Sequence, residues 1–125
     1  MLSNLDSHTM IAASDLARAK AFYTDKLGFT LVETIPGLSF ALGPNWSRFC
    51  LFQSPQAGTA KSAVMGWETD DIENVVANLK ARGVVFEEYD LPNFKTANSI
   101  VTSPTGRSAW FKDSEGNMLG LAQWK

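Results

Sequence analysis

HTMIAASDLARAKAFYTDKLG, residues 8–28, reads as a short strand, a capped helix and a glycine stop. The apolar run from His8 to Ala13 suits one strand and is too short for a helix. Ser14 and Asp15 follow, and an oxygen from either side chain can accept a hydrogen bond from a free first-turn N–H. Leu16, Ala19, Phe22 or Tyr23, and Leu27 then recur at helical spacing, while Arg18, Lys20 and Asp25 take the other face. Lys26 suits the negative end of the helix dipole. Gly28 is placed for a left-handed C-cap.

Working outward, extended runs are expected at Thr30 to Ile35, Leu38 to Leu42 and Ser47 to Gln53, with turns at Pro36-Gly37 and Gly43-Pro44-Asn45. Residues 54–62, SPQAGTAKS, have the composition of a linker. The pattern then restarts: Ala63 to Thr69 is strand-like, and Asp70 and Asp71 can cap a helix whose Ile72, Val75, Val76 and Leu79 share one face. Arg82-Gly83 closes it. Val84 to Tyr89 reads as a strand and Asp90 to Asn98 as a loop. Further strands are expected at Ser99 to Ser103, Arg107 to Lys112 and Met118 to Gln123, with DSEGN (113–117) as a turn. Laying Leu16 on Ile72 also lays Ala19 on Val75 and Tyr23 on Leu79, with the second helix about one residue shorter. The chain is thus a tandem repeat, with modules at about 8–53 and 63–123 joined by the linker 54–62.

Composition bounds the function. At 125 residues the chain suits a single domain, 1–125. A formal charge of −2 offers no electrostatic footprint for nucleic acid or an anionic membrane. Cys50, the only cysteine, excludes an intrachain disulfide and reads as a small buried hydrophobe. The start lacks the basic and apolar regions of a signal peptide, and no apolar run approaches spanning length, so the expected location is the cytoplasm.

The opening HTMIAASDLARAKAFYTDKLGF and the ending AWFKDSEGNMLGLAQ (109–123) resemble the glyoxalase / bleomycin-resistance / extradiol-dioxygenase superfamily, also called vicinal oxygen chelate proteins. The resemblance covers nearly the whole chain. It implies an α+β fold of tandem βαβββ modules forming a curved, mostly antiparallel sheet around a ligand cup, in a homodimer. Function does not follow from it, because the superfamily hosts isomerases, dioxygenases, thiol transferases and drug binders.

Metal-dependent members hold a divalent ion through four inward-facing residues, one from the first and last strand of each module. Here the resemblance places those positions at His8, Leu51 (or Gln53, one inward step away), Val64 and Gly120. Leucine, valine and glycine side chains offer no lone pairs to a cation. His8 is therefore a weak metal candidate standing alone, no metal or other cofactor is expected, and the pattern argues against a metal-dependent enzyme. His8 remains a candidate for ligand contact or acid–base work, or a hydrogen-bonded histidine near a strand end.

Strand alternation nominates a mostly apolar, aromatic cup: His8, Met10, Phe40, Phe49, Leu51, Val64, Trp110, Met118 and Gly120, joined by Ala12, Gly66, Glu68, Lys112 and Ala122. Trp67 is expected to pack under a helix, while Phe94 in the loop is placed either over the cup mouth or in the core. The expected function is metal-free binding of a small hydrophobic or aromatic molecule, of the drug-sequestering type. The alternative is a glyoxalase-like lyase, isomerase or dioxygenase with a non-standard Zn, Ni, Mn or Fe site.

Overall fold

A computed structural model describes residues 1–42 and 48–125, with the side chains of Thr34, Leu42 and Arg48 left aside. The turn expected at Gly43-Pro44-Asn45 lies outside the described residues. A short 3-10 turn at Leu2–Asn4 precedes β1 (Thr9–Ala13), α1 (Leu16–Asp25), β2 (Leu31–Ile35), β3 (Leu38–Leu42) and β4 (Arg48–Gln53). The second half runs through β5 (Met65–Glu68), α2 (Ile72–Ala81), β6 (Asp90–Leu91), β7 (Phe94–Ala97), β8 (Ile100–Ser103), β9 (Gly106–Lys112) and β10 (Met118–Trp124).

These strands form two mixed sheets, ordered β1-β4-β3-β2 and β5-β10-β9-β8-β7-β6. The architecture is α+β, as expected. In each half the first strand pairs parallel with the last, and the remaining pairs are antiparallel. The helices begin where the repeat places them. Asp15 Oδ1 accepts from the Arg18 N–H and Asp71 Oδ1 from the Asn74 N–H, so aspartate is the cap in both halves. Both helices have ten residues. The one-residue difference falls after them, before Gly28 (φ +82°) and Gly83 (φ +90°).

The inner faces of both sheets and one face of each helix share a single core. It includes Ile11, Tyr23, Phe49, Leu51, Ile72, Val76, Phe111, Leu119 and Leu121. Aromatic rings run through it from Tyr23 to Phe49, Phe29, Trp67 and Phe111, with successive centroids 5.0–6.4 Å apart. Trp67 lies beneath α2 beside Val75 and Leu79, lining a hollow of about 280 Å³. Burying each such ring contributes about 2–3 kcal/mol.

Two expectations need correction. Val84 to Tyr89 is not a strand; its one ladder contact is the bridge Phe86↔Phe111. β8 already holds the edge of β9 over Gly106–Ser108, leaving only the stretch near Trp110 and Phe111, where the Glu87 N–H donates to the Trp110 carbonyl. Conversely, Asp90 to Asn98 is no irregular loop but the β6–β7 hairpin, turning at Pro92-Asn93.

Candidate ligand-binding site

The β9–β10 turn, DSEGN, fastens the second half to the first. Glu115 has no exposed side-chain surface, and its carboxylate accepts from Arg18 Nε (2.8 Å) and Nη2 (3.0 Å), the Asp15 N–H (2.9 Å), Ser14 Oγ (3.1 Å) and Ser114 Oγ (2.8 Å). The Arg18 hydrogen bond dominates and holds the carboxyl at about pKa 2, against burial that pushes it up. The Asp113 carboxylate accepts from the Tyr23 hydroxyl (2.7 Å), from the Glu115 and Asn117 N–H groups and from Asn117 Nδ2. Burial raises the Tyr23 phenol far above its ordinary range, and the adjacent Asp113 charge adds to this. Asn117 also donates to the Ala12 carbonyl (2.8 Å) and accepts from the Gly58 N–H (3.0 Å). Gly58 (φ +74°) must be glycine, since a Cβ there would lie 2.7 Å from the Glu115 carbonyl oxygen. Sequence reading recognised this segment only as a turn. Nothing local in it signals partners a hundred residues away.

The clamp fixes β9 and β10, whose outer faces form the floor of the candidate site. The ladder sets side chains in rows across β5, β10 and β9: Gly66–Gly120–Trp110, then Glu68–Ala122–Ser108. A groove of about 460 Å³ lies over these rows, walled by Val64, Trp110 and Trp124. Gly120 is buried because the Trp110 indole covers it, with Cδ1 3.4 Å from where a Cβ would stand. Phe94 and Tyr89 pack on Trp110 (centroids 5.3 and 6.0 Å apart), so the β6–β7 hairpin backs the indole. At the other end the Trp124 indole N–H donates to Glu68 Oε1 at 3.0 Å. Ser108 and Trp124 escaped the sequence reading, although extending the alternation of Trp110 and Gly120 along the same strands reaches both.

The nominated residues fall into three sets. Val64, Trp110, Met118 and Gly120 share the outer face of the second sheet. Met10 and Phe40 lie on the outer face of the first, each in register with Cys50, and His8 sets its ring edge-on to Phe40 at 5.4 Å. None of these three lines the groove over the second sheet. Phe49 and Leu51 do not face a cup. They stand opposite Thr9 and Ile11 and are 3% and 0% exposed, so they belong to the core. The outer-face residues of β4 are Cys50 and Phe52, and burial pushes the Cys50 thiol up. Gln53 is committed elsewhere: its Oε1 accepts from the Leu16 N–H (3.2 Å) and its Nε2 donates to the Ser14 carbonyl (2.5 Å). Among the described residues, no three His, Cys, Asp or Glu side chains are grouped to hold a metal ion. No helix among them is long and apolar enough to cross a membrane.

Solved structures share this fold. The chain is similar to UcmS2 (26% identity, 93% of this chain and 95% of that one covered, TM-score 0.71). It is equally similar to TnmS3, an antibiotic binding protein from Streptomyces sp. CB03234 (25% identity, 98% of each chain, TM-score 0.71). A lactoylglutathione lyase from Agrobacterium tumefaciens shares the fold at 23% identity, with 96% and 93% covered and a TM-score of 0.63. No curated protein matches the sequence. Residues 7–121 match the Glyoxalase/Bleomycin resistance protein/Dioxygenase superfamily, and the chain belongs to that family.

Proposed function

We propose that this protein binds a small hydrophobic or aromatic molecule without a metal, sequestering it rather than transforming it. The observation that carries this reading is the Trp110 indole lying over Gly120. At a position where the family resemblance implies a metal ligand, this chain offers an aromatic surface, which suits stacking and not coordination. The other implied donors fit an ion no better: Leu51 is in the core, Val64 is aliphatic, and His8 packs on Phe40. The resemblance to an antibiotic binding protein supports the same reading.

The proposal includes a homodimer. Met10, Val32 and Ile35 on the first sheet and Val64 and Trp124 on the second are exposed, and a second copy would let one chain's first sheet close over the other's groove. A cytoplasmic setting agrees with a single free, buried cysteine. The test is calorimetric titration with planar apolar compounds, with and without a chelator. Saturable binding that the chelator leaves unchanged and that Trp110→Ala weakens at least tenfold supports the proposal. Binding or turnover that requires added Zn, Ni, Mn or Fe refutes it.

A further inference from the structure

Glu68 is the one charged side chain among the residues lining the groove over the second sheet. It sits one row from Trp110, across a floor of Gly66, Ala122 and Ser108, and its carboxylate takes the Trp124 N–H. That bond occupies one lone pair of one oxygen; the remaining acceptor sites stay open to the groove. Two indole rings and a carboxylate over a small-residue floor are the elements that recognise a flat cation. The ring quadrupoles attract positive charge, the carboxylate supplies the counter-charge, and nothing rises from the floor to prevent flat contact. Four residues of strand separate the Gly120 and Trp124 backbones, about 13 Å, and the groove runs between them. Lys112, on the same face of β9, lies beyond Trp110 from Glu68 and is offset by Glu87 at 3.7 Å.

We infer that the groove selects planar aromatic cations over neutral or anionic rings of the same shape, with Glu68 as the residue that sets the preference. This rests on the binding function proposed above and names its ligand class. Because Glu68 is exposed, its attraction is screened by salt.

The experiment compares three probes of one outline by calorimetry at mildly alkaline pH: N-methylacridinium (cationic), acridine (neutral there) and anthracenecarboxylate (anionic). The cation should bind about tenfold more tightly than acridine, with the anion weakest. Added salt should narrow the gap. Glu68→Gln, whose amide oxygen can still accept from Trp124, should bring the cation-to-neutral ratio close to one. Equal binding of cation and acridine by the unaltered protein, or a preference that survives Glu68→Gln, overturns the inference and leaves the binding proposal standing. Failure of all three probes to bind overturns both.

Discussion

Replacing Glu115 by glutamine should detach the second half's closing turn from α1 at a cost that can be worked from the structure. The carboxyl titrates at 4.5 in an ordinary setting and at about 2 in the fold. At about 1.4 kcal/mol per pH unit this corresponds to about 3–4 kcal/mol of preference for the ionised form. The hydrogen bonds lead to a similar figure. Charge-assisted bonds to a buried acceptor are worth about 1.5–3 kcal/mol each, but Arg18 is half exposed and recovers water when released, so they do not sum. Glu115→Gln should therefore lose about 2–3 kcal/mol in urea denaturation, or roughly 10 °C in Tm. The pH dependence carries the sign. Because the folded carboxyl binds its proton more weakly than the unfolded one, the stabilisation is complete above pH 4.5 and drains as pH falls towards 2. The unaltered protein should lose that share of stability in acid; Glu115→Gln should not. A loss below about 0.5 kcal/mol, or an acid profile unchanged by the substitution, would refute the reasoning.

The remaining expectations are more local. Ser39 is fully buried and its hydroxyl has no hydrogen-bond partner, so Ser39→Ala should raise stability by about 1 kcal/mol in the same assay. Gly120→Val should push its methyls into the Trp110 ring, costing about 1–3 kcal/mol and shifting tryptophan emission to the red as the indole lifts into water. Phe94→Ala should loosen the β6–β7 hairpin, seen as faster amide exchange across 90–97 with α1 unaffected. Gln53→Ala and Gln123→Ala should each cost about 0.5–1.5 kcal/mol and add in the double variant, since they share no partner.

Local physics made much of the architecture legible. Helical spacing, the aspartate caps and the stop glycines depend on neighbours within a few residues, and both helices lie where those signals put them. The last strand was legible for another reason: Leu119 and Leu121 alternate with Gly120 and Ala122, so large and small side chains declare their faces. SRFCLFQ carries no such signal. Phe49, Cys50, Leu51 and Phe52 are all apolar, and parity had to come from register with β1, a long-range fact. The hairpin at 90–97 was hidden because two-residue strands are too short for periodicity, though Asp90 and Lys95, opposite charges flanking Pro92-Asn93, pair across it at 3.2 Å. The Glu115 clamp was hidden because its partners lie at the other end of the chain.

Comparing the two halves row by row explains why the groove is where it is. Gln53 and Gln123 do one job twice, each accepting from the N–H of the first helical residue, Leu16 or Ile72. What both halves keep is scaffold. The central row on the outer face differs: Met10–Cys50–Phe40 in the first half and Gly66–Gly120–Trp110 in the second. Both rows end in an aromatic ring on the antiparallel neighbour of the last strand. In the first half a thioether and a thiol fill the two places beside that ring. In the second, both places are bare backbone: the indole settles over Gly120, and the space above Gly66 is part of the groove. A Cβ at 120 would stand in van der Waals contact with the Trp110 ring, so a longer side chain there would meet the indole first. The glycine at 120 and the indole over it therefore belong together, and on the reading proposed above they make this row a stacking surface.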